Sequence, residues 1–418
     1  MNPQTIGKID RRLGKPICWL LTVARRVGQL FSWRRQAGPV RKILFIKMIE
    51  QGATVLAYRA LRTAVDRVGR ENVYFWVFQE NRPILDLLDI IPVENVIVIR
   101  AKSPVRLALD MLGTLWRVRK MKFDASVDME FFSRASAILA FLSGAKRRVG
   151  LHRFTGEGPY RGDLLTHRVQ YNPYLHVAIQ YHQLVESIWA DPKQTPLLKV
   201  PTPKLESGAY EPPSFVPRGG EVAAVQEILL KLAGKPFDGP ILLLNPNASD
   251  LLPLRKWATD RFVELGQRLL RDEPESLLVI TGAPSERDAA ERVARSIATD
   301  RCISIAGHTT LRQLMVLYTM ADVLVTNDSG PGHFSSMTPV DSVVLFGPET
   351  PALFGPLGRR THTVWANLSC SPCVNAMNHR FSPCNDNVCM QEISVDAVHG
   401  VVSEVLRRRN VVALPVLS

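Results

Sequence analysis

The sequence has few acidic residues at its start, and this scarcity makes its positive charge local. The first 42 residues contain ten Lys and Arg residues against the single acid Asp10, a net +9 of the +13 carried by all 418 residues. The rest of the chain is therefore only mildly basic. A nucleic-acid-binding protein must neutralise many phosphates with clustered cations, so no nucleic-acid partner is expected.

The sequence also lacks a long apolar run. A bilayer-spanning helix needs about 20 apolar residues, whereas the apolar stretch at 16–24 is followed at once by Arg25 and Arg26. Because a signal peptide needs a small-residue cleavage site at that point, we do not expect export. The cations and the tryptophans Trp19 and Trp33 favour a helix lying in the headgroup region of an anionic cytoplasmic leaflet. A disordered basic tail, or a helix packed on the body of the protein, is the alternative.

From residue 41 onward, short apolar runs alternate with longer amphipathic stretches, which is typical of parallel sheets covered by helices. Strands are predicted at 42–47, 72–78, 95–99 and 125–128 and, after a Pro-rich stretch, at 241–245, 276–280, 302–305, 323–326 and 342–346. We therefore predict an α/β chain with a basic amphipathic arm (1–40), a Rossmann-like domain (41–191), a linker (192–220) and a second Rossmann-like domain (221–418). Ligands of such sheets bind at the carboxyl ends of the strands, so a cleft between the two sheets is the expected site.

The most informative segment of the second domain is a buried strand that breaks into a small polar turn, VLVTNDSGPGH at 323–333. Ser329 and Gly330 allow backbone N–H groups to approach an anion, and a helix beginning in this turn would add its positive dipole end. His333 could donate to a phosphate or carry a proton. An ordinary turn capped by Asp328 or Ser329 is the alternative.

Two further loops follow predicted strands of the same sheet. Ser249 lies after the first strand of the domain, with Arg255 and Lys256 close behind, so hydroxyl and cationic groups could converge on a diphosphate. Glu286 follows the next strand, where a carboxylate can accept hydrogen bonds from both hydroxyls of a ribose. A helix start at Ser249, a solvated pair of cations and a first-turn acid at Glu286 are the alternatives.

A series of ordered motifs carries a family resemblance. These motifs are NDSGPGH (327–333), LFGPETP (345–351), PNASDLLPLRKW (246–257), GAPSE (282–286), AGHTTLRQL (306–314) and FDASVDMEFFSRASAILAFLSGAKRRVGL (123–151). Between about residues 42 and 406 the chain resembles glycosyltransferase family 9, the ADP-heptose:lipopolysaccharide heptosyltransferase family. The resemblance implies a GT-B fold, an NDP-sugar donor in the C-terminal domain, and inverting, metal-independent transfer to a glycan or glycolipid acceptor on the N-terminal domain. The donor contacts that it implies are Ser249, Arg255 or Lys256, Glu286, Asp328, Ser329, Gly330 and His333.

The sequence departs from the family in the loop after the first strand. The family usually carries there an aspartate that is the proposed base, but the corresponding residue of this chain is Ala53. Because alanine cannot accept a proton, Glu50 is the first candidate for the catalytic base, followed by Asp128 and Glu130. The alternatives are that Glu50 is a solvated acid or a partner of Lys47, and that Asp128 orients a loop.

Cationic residues of the first domain are candidates for binding the acceptor. Arg134 and Arg148, the latter in the basic run 146–148, would attract a phosphorylated or acidic acceptor. A solvated basic surface is the alternative.

Cysteine is scarce except in one short segment. Four of the six cysteines, Cys370, Cys373, Cys384 and Cys389, lie within twenty residues. In a reducing cytosol this spacing favours a structural metal, most simply zinc, over disulfides, and an iron–sulfur cluster or free thiols are the alternatives.

Three classes of function remain open. The first is a glycosyltransferase at the cytoplasmic face of the inner membrane that takes part in envelope or exopolysaccharide assembly and needs no cofactor for catalysis. The second is a nucleotide-sugar-binding protein with weakened catalysis, suggested by Ala53. The third is another GT-B enzyme, such as a nucleotide-sugar epimerase. Product analysis with and without an acceptor distinguishes the three.

Overall fold

The computed structural model divides the chain into two compact units. It describes residues 3–31, 38–100, 104–152, 159–194, 198–204, 208–248, 252–377 and 381–413. The first unit comprises Met1–Tyr210 and Asn375–Phe381, and the second comprises Glu211–Val374 and Ser382–Ser418. The domain limits predicted from the sequence remain predictions.

In the described part of the first unit, six parallel strands form one sheet. They are β1 (Ile43–Ile46), β2 (Val73–Phe78), β3 (Val96–Ile99), β4 (Ala125–Asp128), β5 (Arg147–His152) and β6 (His167–Gln170), in the order β3-β2-β1-β4-β5-β6. The chain reverses its direction of winding between β1 and β4, where Ile46 pairs with Asp128. The residues that follow these two strands therefore meet at the carboxyl edge of the sheet, the usual ligand position in such folds.

Helices cover this first sheet. They are α1 (Pro3–Phe31), α2 (Gln51–Leu56), α3 (Tyr58–Val68), α4 (Arg82–Leu88), α5 (Pro104–Lys120), α6 (Arg134–Leu142) and α7 (Val177–Glu186). Both α1 and α5 contact α6. A small apolar cluster that includes Cys18, Ala137 and Leu164 joins α1 to the body of the unit. The predicted amphipathic arm is thus a helix packed on the first unit along one of its faces.

The second unit repeats the same strand order. Its described strands are β7 (Ile241–Asn245), β8 (Leu277–Ile280), β9 (Cys302–Ser304), β10 (Val323–Asn327), β11 (Asp341–Phe346) and β12 (Thr361–Trp365), in the order β12-β11-β10-β7-β8-β9. Its helices are α8 (Glu221–Ala233), α9 (Thr259–Asp272), α10 (Arg287–Ile297), α11 (Leu311–Met320), α12 (Gly330–Ser335), α13 (Pro351–Phe354), α14 (Val388–Gln391) and α15 (Val395–Ala413). The core of this unit packs β7, β8, β10 and β11 against α9, α10 and α15.

The predicted α/β class is confirmed, and each of the nine predicted strands is present with ends shifted by at most one residue. Three strands were not predicted: β5, β6 and β12. Each lies near or at an edge of its sheet, where burial is incomplete. The continuous apolar run that marks a doubly covered strand is therefore missing from them.

Candidate functional site

An amide network fixes the carboxyl edge of the second sheet. Asn245 and Asn327 end β7 and β10, and both are buried. The Nδ2 atom of Asn245 donates to Thr281 Oγ1 (3.0 Å), and the Nδ2 atom of Asn327 donates to the carbonyl of Asn247 (3.1 Å). The backbone N–H of Trp257 donates to Asn327 Oδ1 (3.0 Å). Three loops that leave adjacent strands are thereby held in one arrangement. The buried amides that hold them were not among the predicted site residues.

A buried cation lies at this edge between two carboxylates. The Nε atom of Arg255 is 3.3 Å from Asp328 Oδ2, its Nη1 donates to the Asp328 carbonyl (3.2 Å), and its Nη2 donates to Glu349 Oε2. The Arg255 side chain is 13% exposed, so it does not belong to the solvated pair considered as an alternative. Lys256, its neighbour, is exposed. The structure thus brings Arg255 and Asp328 together and adds Glu349, which follows β11.

The charges of this cluster are unbalanced, with two acids for one base. Burial raises the pKa of Glu349 to about 7; the nearby Arg255 opposes this rise and Asp328 adds to it. Burial also raises the pKa of Asp328 against the effect of Arg255. The two carboxylates in turn hold the pKa of Arg255 above its ordinary value despite burial. Near neutral pH the cluster therefore keeps Arg255 charged and holds a proton on Glu349 for part of the time.

The polar turn after β10 leads directly into α12. Ser329 is the N-cap residue, yet its side chain makes no capping hydrogen bond. Its Oγ instead donates to the carbonyl of Asn327 (3.1 Å). Gly330 is half-buried and begins the helix, and His333 is buried on the same helix. The Ser329 side chain therefore does not cap the helix, contrary to that alternative. Its hydroxyl accepts no hydrogen bond from the first N–H groups of α12.

The other predicted donor residues lie on the neighbouring loops. Glu286 is half-buried before α10, and its Oε2 accepts from the backbone N–H of Ala283 (2.7 Å). Gly282 is needed for this packing, since a Cβ there would lie 2.8 Å from Asn247 Nδ2 and 3.3 Å from Glu286 Oε2. Glu286 ends the single 3₁₀ turn Pro284–Glu286, so it is also the first-turn acid considered as an alternative. Ser249 falls outside the described residues.

At the carboxyl edge of the first sheet, a buried lysine contacts two glutamates. The Nζ atom of Lys47 donates to Glu50 Oε2 (3.0 Å) and to Glu130 Oε2 (3.3 Å). Glu130 Oε1 also accepts from the backbone N–H groups of Met48 (2.6 Å) and Ile49 (3.3 Å). The Lys47 side chain is fully buried, whereas that of Glu50 is 17% exposed. The alternative in which Glu50 is the partner of Lys47 is thus observed, and Glu130 is a second partner.

The backbone at Glu50 has an unusual conformation. Its φ is 72° and its ψ is 83°, in the left-handed region that residues other than glycine rarely adopt. Such a residue costs about 1–3 kcal/mol of strain, and strained residues cluster at functional sites. Ala53 lies three residues further on in α2 and carries no proton acceptor.

Asp128 is deeper than a substrate-contacting acid would be. It is fully buried, its Oδ2 accepts from Arg161 Nη2, and its Oδ1 accepts from the backbone N–H of Glu130 (3.1 Å). Burial raises the pKa of Asp128, and Arg161 opposes that rise. This geometry favours the loop-orienting role considered for Asp128, because it fixes the segment that carries Glu130.

Neither of the two arginines predicted to bind the acceptor has an exposed side chain. Arg134 is buried, and its guanidinium donates to the Tyr160 carbonyl (2.9 Å) and to Asp10 of α1 (3.2 Å). Arg148 donates to the carbonyls of Leu164 and Ala145, each at 2.7 Å, and burial lowers the pKa of its guanidinium to about 10. Both side chains therefore tie elements of the first unit together.

The predicted zinc site is not supported. Among the described residues, no group of three or more His, Cys, Asp or Glu side chains has the geometry to hold a metal ion. Cys370 and Cys384 are exposed, whereas Cys389 is buried in the core of the second unit. Burial first, and the neighbouring cysteines second, raise the pKa of Cys389 to about 11.

A family model and several known proteins match this chain. The model of glycosyltransferase family 9 (heptosyltransferase) matches residues 114–381. The lipopolysaccharide heptosyltransferase 2 of Salmonella typhimurium is 25% identical over 128 residues, 30% of this chain and 36% of that protein. The lipooligosaccharide heptosyltransferase 2 of Campylobacter jejuni (strain 81116) is 23% identical over 161 residues, 38% of this chain and 49% of that protein. The chain thus spans less than half the length of the curated relatives it matches.

Solved structures extend the likeness over most of the chain. The Escherichia coli ADP-heptose lipopolysaccharide heptosyltransferase II aligns with a TM-score of 0.66 at 18% identity, over 88% of this chain and 99% of that one. A glycosyltransferase family 9 protein from Veillonella parvula aligns with a TM-score of 0.64 at 17% identity, over 88% of this chain and 97% of that one. At this identity the likeness shows the fold, and the predicted GT-B fold is confirmed.

Proposed function

The chain belongs to glycosyltransferase family 9, and on that premise we propose that it transfers a heptose or a related sugar from a nucleoside-diphosphate donor. The proposed acceptor is a glycolipid of the lipopolysaccharide core or of another envelope or exopolysaccharide, reached at the cytoplasmic face of the inner membrane. The transfer inverts the anomeric carbon and uses no metal. The observation that carries this proposal is the buried Arg255–Asp328–Glu349 cluster at the carboxyl edge of the family-matched second sheet.

The donor diphosphate is proposed to bind above this cluster. Arg255 supplies the positive charge, the exposed Lys256 adds a second cation, and Ser329 and Gly330 contribute the N–H groups at the start of α12. When Glu349 holds its proton, Asp328 alone balances Arg255. The cluster then carries no net negative charge, so the guanidinium can attract a phosphate. His333 lies on the same helix, and Ser249 remains a predicted phosphate contact.

Glu286 is proposed to bind the donor ribose. Its Oε2 accepts from one backbone N–H, and the two oxygens of a carboxylate together can accept several hydrogen bonds, including those of ribose hydroxyls. This role predicts weaker nucleotide binding in Glu286→Gln, because an amide is a poorer acceptor than a carboxylate and loses a charge-assisted hydrogen bond.

The general base is proposed to be Glu50. The ammonium of Lys47 lies 3.0 Å from its carboxylate and holds it in place, and a carboxylate can take a proton from an acceptor hydroxyl. The side chain is partly exposed, unlike that of Asp128, which is fully enclosed. Asp128 is proposed to act through the loop of Glu130.

A transfer assay tests the proposal. Purified protein is incubated with ADP-heptose and then with other NDP-sugars, with and without a lipid-linked inner-core acceptor, and nucleoside diphosphate release is measured. We expect release that depends on the acceptor and a product whose anomeric configuration, read by NMR, is inverted relative to the donor. Glu50→Gln should lower kcat by about 10²–10⁴-fold, the usual contribution of a general base. Nucleotide affinity should stay unchanged in that variant.

The matched control is Glu94→Gln, which changes an exposed acid of the same unit outside the site. It should leave kcat unchanged. If Glu50→Gln retains full kcat, the assignment of the base is wrong. If chelation of divalent ions abolishes transfer, the metal-independent mechanism is wrong.

A second candidate function is favoured by Ala53. With no carboxylate at the position where the family carries its proposed base, the protein would bind a nucleotide sugar without transferring it. Nucleotide binding seen by thermal shift, together with no turnover for any acceptor, would support this function over the first. A ligand at 100 times its dissociation constant stabilises a fold by about 2.7 kcal/mol, so binding is readily detected.

A further inference from the structure

Helix α5 carries an apolar stripe that the first unit leaves uncovered. Val105, Leu109, Leu112 and Trp116 are 70%, 64%, 64% and 60% exposed. Their spacing of four, three and four residues places them on one face of the helix. A helix of a soluble domain usually turns such a face toward the core, and here the opposite residues, among them Val118 and Leu115, do so. A contiguous exposed stripe of this kind marks an interaction surface.

Helix α1 also exposes apolar side chains on its outer face. Leu13, Trp19 and Leu20 are 57%, 57% and 58% exposed. Its inner face is fixed on α6: Asp10 accepts from the backbone N–H of Ala135 (2.8 Å), and a Cβ added at Gly14 would lie 2.8 Å from that of Arg134. The outer face is therefore held in place rather than free to fold back onto the unit.

Cations border both apolar faces. On α1, Arg12, Lys15 and Arg26 are exposed, and on α5, Arg117, Arg119 and Lys120 are exposed. The Nζ atom of Lys120 lies 3.5 Å from the ring centroid of Trp116.

Acids offset little of this charge. Each helix has one acid in its sequence. Asp10 is bound to α6, and Asp110 accepts from the backbone N–H of Arg100 (2.8 Å). The two outer faces are thus apolar and basic, which is complementary to an anionic surface with an apolar layer beneath it.

We propose that the outer faces of α1 and α5, which both contact α6, form one surface that docks the first unit on an anionic lipid bilayer. The tryptophans Trp19 and Trp116 enter the interface between headgroups and acyl chains, and the bordering lysines and arginines contact lipid phosphates. None of the helices in the described part of the chain is long and apolar enough to span a membrane. The proposal does not depend on the donor that the protein uses, and it is tested independently of the transferase activity.

Vesicle flotation of the full chain tests this docking surface. The vesicles are phosphatidylcholine alone, or phosphatidylcholine with about 30% phosphatidylglycerol as the anionic lipid. We expect flotation with the anionic vesicles, loss of it between about 50 and 500 mM NaCl because the charges are screened, and little flotation with the neutral vesicles. The variant Leu109→Gln/Leu112→Gln/Trp116→Gln should lower the partition coefficient at least ~10-fold, because three apolar side chains no longer enter the bilayer.

Two further variants sharpen the test. Trp19→Gln/Leu20→Gln should lower partitioning by a similar factor, since it removes the α1 half of the surface. Val216→Gln/Leu230→Gln changes exposed apolar side chains of the second unit and should partition as the wild type does. Because all of these side chains are exposed, the variants should keep the wild-type melting temperature, which is measured in parallel.

The outcomes separate the possible occupants of the surface. Equal partitioning of the α5 variant and the wild type would overturn the role of α5. Equal binding to neutral vesicles, unaffected by salt, would overturn the electrostatic part. Absence of vesicle binding together with a concentration-dependent dimer that the α5 variant abolishes would identify the surface as an interface between two copies and overturn the proposal.

Discussion

Replacing Arg255 with methionine should destabilise the second unit by about 3–5 kcal/mol near neutral pH, the usual cost of removing one partner from a buried ion pair. The arginine side chain is 13% exposed, and those of Asp328 and Glu349 are 4% and 1% exposed, so solvent cannot replace the lost cation. Asp328 loses its counter-ion, and so does Glu349 whenever it is ionised. Methionine keeps most of the aliphatic volume, so the loss reports on charge rather than on a cavity.

The loss should depend on pH in a direction fixed by the two acids. Their pKa values are already raised by burial, that of Glu349 to about 7, and removal of Arg255 raises both further. A carboxyl group with a raised pKa in the folded state stabilises the fold at low pH and loses that contribution as the pH rises. The deficit of the variant should therefore be largest above about pH 7 and shrink toward about pH 5, as protons are taken up.

Urea unfolding at these two pH values measures the deficit. Because the chain has two units, mass-spectrometric hydrogen exchange of peptides spanning β7 and β10 reports on the second unit separately. Arg255→Met/Glu349→Gln should recover part of the stability, since one buried acid is then neutral. A loss below about 1 kcal/mol, or an equal loss at both pH values, would refute the assignment of Arg255 as the neutralising centre of the cluster.

Three other predictions rest on the contacts and burial of single residues. In the wild type, the stability contribution of Glu349 should be full below its unfolded pKa of 4.5 and fall as the pH rises through about 7. Glu349→Gln should therefore flatten the dependence of melting temperature on pH. Parallel curves for the two proteins would contradict this. Asp10→Ala removes the acceptor of an α6 backbone N–H and a partner of Arg134. It should lower the free energy of unfolding by about 1 kcal/mol and speed proteolysis of α1. Unchanged cleavage would count against that contact. A thiol reagent should modify exposed Cys370 in the native protein but reach Cys389 only after unfolding, because burial raises the pKa of Cys389 to about 11; simultaneous modification would show that its core is open.

The strands of both sheets could be predicted where packing on two faces requires a continuous apolar sequence. The central strands β1, β7 and β10 are fully buried, and their boundaries were predicted within one residue. Strand β5 begins with Arg147 and Arg148, which in the sequence look like part of a solvated basic run. In the structure their guanidinium groups donate to backbone carbonyls. These hydrogen bonds allow charged side chains to occur in a half-buried strand. Composition alone cannot reveal such internal partners.

The site could be predicted in part. The turns at Asp328 and Glu286 were identified because small and polar residues directly follow buried strands. Glu349 was not predicted, although it follows β11 and thus reaches the same edge, because only its burial beside the distant Arg255 distinguishes it from an ordinary loop acid. Arg255 was expected to be a solvated or phosphate-binding cation, and its burial between two acids depends on long-range pairing that adjacent sequence does not record.

Each of the two units has a buried cation in contact with two carboxylates at the carboxyl edge of its sheet. In each sheet the first and fourth strands along the chain are neighbours, and the loops after them bring a buried cation to a carboxylate: Lys47 to Glu50 and Glu130, and Arg255 to Asp328. In the second unit the other acid, Glu349, comes from the loop after β11. Each cluster has two acids for one base, so with all groups ionised it carries a net negative charge. A phosphate approaching the second cluster therefore gains most when one acid is protonated, and the raised pKa of Glu349 supplies that condition near neutral pH. Anion binding by the second unit should consequently take up a proton and weaken as the pH rises above about 7, whereas a site built from solvated cations would bind independently of pH across that range.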